Sequence, residues 1–381
     1  MKRRNGNAAT KSASISEILR QEIMSGKFDS DGRLPSEHQL MRRFSVARET
    51  VRGALKDLSD REIVDRRPGY GTFLANSALR LASQCFGVIV PDAYHPFYAR
   101  ICAGIESRAK SHGYTTLAAA LGSGGMHERA IRAVEFAEVC KSQKVSGVFL
   151  QPVQLLDKAE EFNNALLSVF ADTDIPVVLL DSDYVTPPMR SGYDIVSIDN
   201  TNAGYRLARH LVSRGARHVV YFSNKLAAPS SLRRGSGVSF AVTEADLPWS
   251  RSSIVIGNPG DAKFVRRVFG GKNRPDGIVA VNDYVAEILL GTLKSIGVDV
   301  PGDVMLAGVN GDDNAAKTTP PLTTMVQPCR EIGEAAVEIM LLRLANRRMA
   351  PRETLLMTEL VERESTSGLK HTSTKRKDTG K

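Results

Sequence analysis

The sequence contains little cysteine and no long apolar run. Its four cysteines are scattered and form no Cys-x-x-Cys pair, so we expect reduced, buried thiols rather than a disulfide framework. No segment approaches the ~18 consecutive apolar residues of a membrane helix. Residues 1–11 are basic and polar, without the apolar core of a signal peptide. These absences predict a cytoplasmic protein with no membrane partner.

Catalytic and metal-binding motifs are also missing. The seven histidines form neither His-x-His nor His-Glu-x-x-His, so no zinc site is predicted. There is no Gly-x-Ser-x-Gly elbow, and the glycine-rich residues 122–125 lack the Lys-Ser/Thr of a phosphate-binding loop. Asp312 and Asp313 have no third ligand at a suitable spacing. We therefore expect no enzyme activity, no metal and no cofactor.

Positive charge is concentrated at the two ends of the 381-residue chain. Residues 1–80 hold 16 Lys or Arg against 10 Asp or Glu, and residues 369–381 hold 5 against 1. The residues between them are almost neutral, with 30 against 31. A chain of this length is expected to form two or three domains. The basic first domain indicates a nucleic acid as its partner.

Residues 13–75 show the pattern of three helices followed by a hairpin. Ser36 is placed to cap the second helix, and the glycines between residues 63–66 and 72–74 suit a hairpin turn. We predict disorder for residues 1–12, a linker over 76–84 and a disordered basic tail over 367–381. The predicted inner faces of the helices are apolar: Ile15, Ile18, Leu19 and Ile23, then Leu40, Met41 and Phe44, then Val51, Leu55 and Leu58.

Residues 85–366 alternate short apolar runs with helical patterns. Runs such as 86–90, 147–151 and 177–181 are rich in Val, Ile and Leu, which is typical of parallel strands covered by helices on both faces. The series is long enough for two sheets. We predict an α/β fold with one lobe over about 85–182 and a second over about 195–322, and chain crossings near residues 325 and 350.

Polar residues end several predicted strands, where open α/β folds bind their ligands. Each one alone is an ordinary cap or turn residue, and Asp199 and Asp283 stand directly ahead of predicted helices. Together they indicate a small ligand with vicinal hydroxyl groups, because carboxylates accept from hydroxyls and amides both donate and accept. The strand-ending residues are Asp92, Asp181, Asp199, Asn282 and Asn310.

Residues 13–75 resemble the GntR-type winged-helix regulators. The likeness is carried by Leu-Pro-Ser-Glu at 34–37, Val-Ala-Arg-Glu-Thr-Val-Arg at 46–52 and Arg-Arg-Pro-Gly-Tyr-Gly-Thr-Phe at 66–73. The resemblance implies that the third helix enters the major groove of operator DNA and that the hairpin, or wing, lies beside it. Members commonly have Ser where this chain has Ala47, which cannot cap that helix. The expected DNA-binding residues are Arg33, Ser36, Glu37, Arg48, Thr50, Arg52, Arg66, Arg67, Gly69, Tyr70 and Gly71.

Residues 85–365 resemble the sensor domains of the LacI/GalR family, which share the two-lobed fold of periplasmic sugar-binding proteins. The likeness is carried by Val-Pro-Asp at 90–92, His-Pro-Phe-Tyr at 95–98, Pro-Asp-Gly-Ile-Val-Ala-Val-Asn-Asp at 275–283 and Pro-Gly-Asp-Val at 301–304. The whole chain resembles arabinose-type repressors. This implies a homodimeric repressor with operator DNA and a small sugar effector as partners. The expected ligand-binding residues are Asp92, Phe97, Asp181, Asp199, Arg234, Asn282, Asn310 and Gln327.

The identity of the effector stays open. Members of the sensor family often have Asn in place of His95, Arg in place of Ser182 and Asp in place of Asn310. A nucleobase or nucleoside is the alternative effector, in which case Phe97 would stack on a base. Arg234 is preferred to the adjacent Arg233 because it keeps the family's spacing to the neighbouring motif residues. A solute-binding protein of a transporter would need an export signal and would not carry a basic winged helix.

Overall fold

The computed structural model of the protein describes residues 4–24, 33–61, 63–67, 70–75, 84–92, 95–119, 121, 124–154, 156–223, 225, 228–271 and 274–369. These residues form a small N-terminal domain and two α/β lobes. Within these ranges, no helix is long and apolar enough to cross a membrane. The predicted basic tail lies almost wholly outside the described residues, as does the predicted linker.

The N-terminal domain has three helices and a two-stranded antiparallel wing. Its core is apolar and includes Leu19, Val51 and Leu55. The elements are α1 (Arg4–Met24), α2 (Glu37–Phe44), α3 (Arg48–Asp60), β1 (Val64–Arg67) and β2 (Gly71–Leu74).

Two expectations for the first helix are wrong. It begins at Arg4, so most of residues 1–12 are helical rather than disordered. Good helix formers such as Ala8, Ala9 and Lys11 allow the packed helix to extend toward the N-terminus. Ile18 is 41% exposed, whereas the other three residues of the predicted stripe are buried. A four-residue apolar stripe is therefore wider than the surface this helix buries.

The helix ends of this domain follow from single side chains. Ser36 caps α2, and Gln39 completes a capping box, since Ser36 N donates to Gln39 Oε1 at 2.8 Å. Ala47 stands at the N-cap of α3 and forms no side-chain cap, as its methyl group predicts.

Lobe one contains a six-stranded parallel sheet of order β4-β3-β5-β6-β7-β13. Its central strands β5 and β6 are continuous buried apolar runs because helices cover both faces. The elements are β3 (Cys85–Ile89), α4 (Pro96–Ser111), β4 (Thr115–Ala118), α5 (Met126–Ser142), β5 (Gly147–Leu150), α6 (Ala159–Ser168), β6 (Val177–Leu180) and β7 (Asp194–Ile198), with α11 (Cys329–Ala345) and β13 (Glu353–Leu356) from the end of the chain.

Lobe two has a second six-stranded sheet of order β9-β8-β10-β11-β12-β14. Its strands are parallel except β14, which runs antiparallel at the edge. The elements are α7 (Asn200–Ser213), β8 (Val219–Ser223), α8 (Pro229–Glu244), β9 (Ile254–Ile256), α9 (Ala262–Phe269), β10 (Gly277–Ala280), α10 (Asp283–Ser295), β11 (Met305–Asn310), β12 (Thr323–Val326) and β14 (Glu359–Val361).

The chain crosses between the lobes three times. The first crossing follows β7, so the strand predicted to open lobe two belongs to lobe one. The second lies at residues 327–328, close to the predicted position, and the third lies at 357–358 rather than near 350. An apolar run identifies a strand but does not state which sheet it joins, and this explains the first error.

Glycines allow the two closest helix pairs to form. A Cβ at Gly204 of α7 would lie 2.0 Å from the Arg234 carbonyl oxygen of α8, and one at Gly237 would lie 1.9 Å from the Thr201 carbonyl oxygen. Helices α4 and α11 approach in the same way through Gly104. The α7–α8 contact fixes the position of Arg234 relative to the interlobe cleft.

Candidate functional site

The N-terminal domain carries a cluster of arginines around the start of α3. Arg48, Arg52 and Arg66 are 63%, 47% and 37% exposed. The partly buried carboxylate of Glu37, at the start of α2, accepts from Arg48 Nε at 3.0 Å, Arg52 Nε at 3.4 Å and Arg66 Nη2 at 3.0 Å. Burial acts to raise the pKa of Glu37, but the arginines outweigh it and hold the pKa below its ordinary value.

The wing adds further basic groups beside this cluster. Arg33 Nη2 donates to the Tyr70 carbonyl oxygen at 3.2 Å. The guanidinium groups of Arg33 and Arg67 lie 5.9 Å and 4.8 Å from the centre of the Phe73 ring. Tyr70 is 74% exposed at the tip, and Gly71 has φ 121°, which favours glycine. Gly69 lies outside the described residues.

Two of the predicted DNA-binding residues also have structural surroundings of their own. Thr50 is only 8% exposed, because it lies on the inner side of α3 with Val51 and Ala54. Little of its side chain is open to a phosphate, and its contact with DNA stays a prediction. The Ser36 hydroxyl accepts from Gln39 N and caps α2. Sequence spacing alone did not separate the inner and outer faces at the first turn of α3.

The sensor's candidate site lies between the lobes, where β3, β5 and β6 end. Asp181 follows β6 with φ 64° and is buried. Gln151 Nε2 donates to Asp181 Oδ2 at 3.3 Å. Burial raises the pKa of Asp181, against the opposing effects of Arg234 and Gln151. Arg129 Nη1 lies 3.8 Å from Asp92 Oδ2, at the end of β3.

The structure resolves the choice between Arg233 and Arg234. Arg234 is 6% exposed; its Nε donates to Asn200 Oδ1 at 2.8 Å and its Nη1 donates to the Val281 carbonyl oxygen. Its charge acts on Asp181 of lobe one. Arg233 instead pairs with Glu353 at 2.6 Å. Arg234 is thus the arginine held at the cleft.

Other predicted ligand residues act as caps or lie at crossings. Asp199 Oδ1 accepts from Asn202 N at 2.9 Å and caps α7 at the first crossing. Asn282 Oδ1 accepts from Val285 N at 2.9 Å and caps α10. Each uses one side-chain oxygen in the cap. Asn310 and Gln327 meet, since Gln327 Nε2 donates to Asn310 Oδ1 at 3.0 Å.

Phe97 is more deeply buried than an open stacking platform. It is 6% exposed and forms an edge contact with Tyr98, with ring centroids 5.1 Å apart. Burial, together with the negative charges of Asp181 and Asp92, raises the pKa of Tyr98. No periodic pattern in the sequence singled out Tyr98, although it belongs to the quoted motif at 95–98.

Several buried polar atoms at strand ends and crossings have no hydrogen-bond partner among the described residues. They include Gln151 Oε1, Ser223 Oγ, Asp312 Oδ1 and Gln327 Oε1. Sequence reasoning missed Gln151, Ser223 and Asp312 as site residues, because each ends or follows a strand in the same way as many ordinary loop residues. An unpaired buried acceptor is costly, so these atoms indicate a place for a donor from a bound molecule.

Contacts also bridge the lobes around the cleft. Ser230 N of lobe two donates to Ser182 Oγ at 3.3 Å. Arg100 Nη1 of α4 lies 3.6 Å from Asp313 Oδ1 of lobe two. Like the Arg233–Glu353 pair described above, each of these contacts joins a residue of one lobe to a residue of the other. Within the described part of the chain, no cluster of three or more His, Cys, Asp or Glu residues could hold a metal ion.

Comparison with known families divides the chain in the same way. Residues 11–74 match the family of bacterial regulatory proteins of the gntR type, and residues 208–366 match the periplasmic binding protein-like domain. The chain joins a GntR-type DNA-binding domain to a periplasmic-binding-protein-like sensor domain. This fusion and the two-lobed α/β fold agree with the expectation from the sequence.

Relatives and solved structures support the same division. The chain is 28% identical over 295 residues to the transcriptional regulator DegA of Bacillus subtilis, covering 75% of this chain and 82% of that protein. It is 25% identical to the transcriptional repressor PurR of Vibrio atlanticus, covering 77% and 86%. A LacI family regulator from Mycobacterium smegmatis has a TM-score of 0.62 at 22% identity, covering 74% and 99%. A regulator from Enterococcus faecium with bound ribose has a TM-score of 0.58 at 21% identity, covering 75% and 99%. The chain is a transcriptional regulator, and its sensor is similar in fold to those of LacI family regulators.

Proposed function

We propose that this regulator is a cytoplasmic, homodimeric repressor that senses a small polyhydroxylated molecule, and that this molecule is a sugar. Each subunit places α3 in the major groove of one half-site of a roughly palindromic operator. The effector binds between the lobes and changes their closure, which alters the spacing of the two winged helices.

The observation that carries the effector proposal is the set of unpaired buried polar atoms at the cleft. Gln151 Oε1 of lobe one and Asp312 Oδ1 of lobe two need donors. Arg234 of lobe two donates through Nε and Nη1 within its own lobe, which leaves Nη2 as a donor for a ligand. A sugar hydroxyl donates one hydrogen bond and accepts others, so adjacent hydroxyls can satisfy both kinds of partner. Phe97 is only 6% exposed, so a ligand that depends on stacking over an open aromatic face, such as a nucleobase, is less favoured than a sugar.

The experiment is calorimetry and thermal unfolding of the full chain with pentoses, hexoses, nucleobases and nucleosides. We expect one sugar to bind and to raise Tm by linkage. Arg234→Met should weaken that binding about 5- to 150-fold. A buried polar group that is left without its hydrogen-bond partner costs about 1–3 kcal/mol of binding free energy. Arg266→Met is the control, because Arg266 is an exposed arginine of α9 in lobe two, and it should retain affinity near the wild-type value.

Two outcomes would contradict the site. Full retention of affinity in Arg234→Met would exclude Arg234 from the cleft contacts. If Arg234→Met does not fold, Ser223→Ala provides the test, because it removes an unpaired buried hydroxyl and should weaken binding without taking a partner from another described side chain. Binding of a nucleobase and of no sugar would replace the sugar proposal by the alternative effector class.

A further inference from the structure

Glu37 is an acidic side chain at the centre of a surface whose other charged groups are mainly arginines. It is the common acceptor for Arg48 and Arg52 of the recognition helix α3 and for Arg66 of the wing. Three elements are thereby joined at one carboxylate. A negative charge on a DNA-binding face opposes phosphate binding, so its place there needs another reason.

The geometry of the hydrogen bonds suggests that reason. Arg48 and Arg52 both donate through Nε, which leaves the two Nη groups at the end of each guanidinium for another partner. These arginines are about half to two-thirds exposed, whereas Glu37 is 22% exposed. The carboxylate therefore lies beneath the guanidinium groups and holds their outer ends toward solvent.

Orienting the arginine side chains before DNA binds has a physical consequence for sequence recognition. A free arginine must lose its rotamer freedom when it binds a base edge. A guanidinium already oriented can present two donors to guanine O6 and N7 with less loss. Phosphate binding needs less exact orientation, because the phosphate charge attracts an arginine from many directions.

We propose that Glu37 is a positioning residue for sequence recognition: its carboxylate orients Arg48, Arg52 and Arg66 before DNA arrives. The inference rests on the proposed DNA-binding function of this domain. It predicts that Glu37 favours discrimination between DNA sequences while it weakens binding to DNA in general.

The experiment begins with selection of bound sequences from a pool of random duplexes by the full wild-type chain. Dissociation constants are then measured for a selected duplex and for its scrambled counterpart, over a range of KCl concentrations. The variants are Glu37→Gln, which removes the charge, and Glu37→Asp, which keeps the charge but shortens the reach. Asp60→Asn is the control. It removes one negative charge at the far end of α3, away from Arg48, Arg52 and Arg66.

We expect both Glu37 variants to lower the preference for the selected duplex about tenfold or more. This is the effect of losing at least one well-oriented base contact. In Glu37→Gln the affinity for scrambled DNA should stay equal or rise. Asp60→Asn should keep the wild-type preference. Loss of preference in Glu37→Asp would show that position, rather than charge alone, matters.

Four results would overturn the inference. Unchanged preference in both Glu37 variants would remove the positioning role. A change confined to one cytosine position would mean that Glu37 reads a base itself. A lower Tm with equal losses for both duplexes would mean a purely structural role. A wild-type chain that selects no sequence would contradict the proposed function itself, and the inference with it.

Discussion

Asp283 and Asn282 are adjacent but act differently. Asn282 caps α10, whereas Asp283 is 2% exposed and accepts from Thr324 Oγ1 at 2.7 Å and from the backbone N–H groups of Gly311 and Asp312 at 2.9 Å each. It ties α10 to β12 and to the turn after β11. This turn carries Asp312, one of the unpaired acceptors of the cleft, so Asp283 supports the candidate site without facing the effector.

The buried Asp283 should make stability depend on pH. Burial raises the pKa of Asp283 from 3.8 to about 6, against the hydrogen bonds from Thr324 and the backbone. A raised pKa in the folded protein adds stability below the unfolded pKa, and this is lost as the pH rises through the folded pKa. Relative to Asp283→Asn, the wild type should lose about 3 kcal/mol of unfolding free energy between about pH 4 and pH 7.

The measurement is urea unfolding of both proteins across that pH range. Carboxyl groups distant from Asp283 contribute equally to the two curves, so the difference between the curves reports Asp283 and the neighbouring Asp312, whose charge acts on it. Parallel curves would show that Asp283 has an ordinary pKa in the folded protein.

At the scale of elements, the close contact between α7 and α8 places the polar groups of lobe two. Helix α7 begins with Asn200, and α8 carries Arg234. Arg234 Nε donates a hydrogen bond to Asn200 Oδ1 at 2.8 Å. Their helices approach closely only because Gly204 and Gly237 have no side chain. Packing and site geometry are therefore coupled at this contact.

Gly204→Ala should separate the two helices. The added methyl group would lie 2.0 Å from the Arg234 carbonyl oxygen, and overpacking of this kind costs about 1–3 kcal/mol. We expect lower unfolding free energy by chemical denaturation and weaker effector binding. Gly291→Ala in α10 is the control: nothing lies within 4 Å of the new Cβ, so it should stabilise the protein by about 0.4–1 kcal/mol. Equal effects of the two substitutions would contradict the packing argument.

At the scale of the whole molecule, each lobe is built from separated parts of the chain. Lobe one receives α11 and β13 after lobe two is almost complete, and β14 then returns to lobe two. The lobes therefore cannot be separated by cutting the chain once. The winged-helix domain has its own core, formed wholly by residues before 76.

A fragment of residues 84–369 should consequently fold and bind effector without binding DNA. Calorimetry should give an effector affinity close to that of the full chain, and retardation of the selected duplex should be absent. The shorter fragment 84–326 serves as the comparison and should not fold, because it lacks α11 and β13. An unfolded 84–369 fragment, or a folded 84–326 fragment, would contradict this division.

Local pattern alone determined much of the protein. Apolar stripes and caps predicted the helices of the winged domain, because a helix repeats every 3.6 residues whatever it packs against. Continuous Val, Ile and Leu runs predicted buried parallel strands, and the motif spacing around Arg234 identified the cleft arginine. The paired glycines of α7 and α8 stand in the sequence, but their contact needs both helices in place.

Only the tertiary structure decided which strands and side chains meet. It assigned β7 to lobe one, turned Thr50 inward, and brought Gln151, Tyr98 and Asp181 together from three separate segments. It also gave Glu37 three arginine partners from two elements. A sequence pattern records how each segment alternates between buried and exposed positions. The choice of neighbour depends on packing between distant segments, which no local pattern contains.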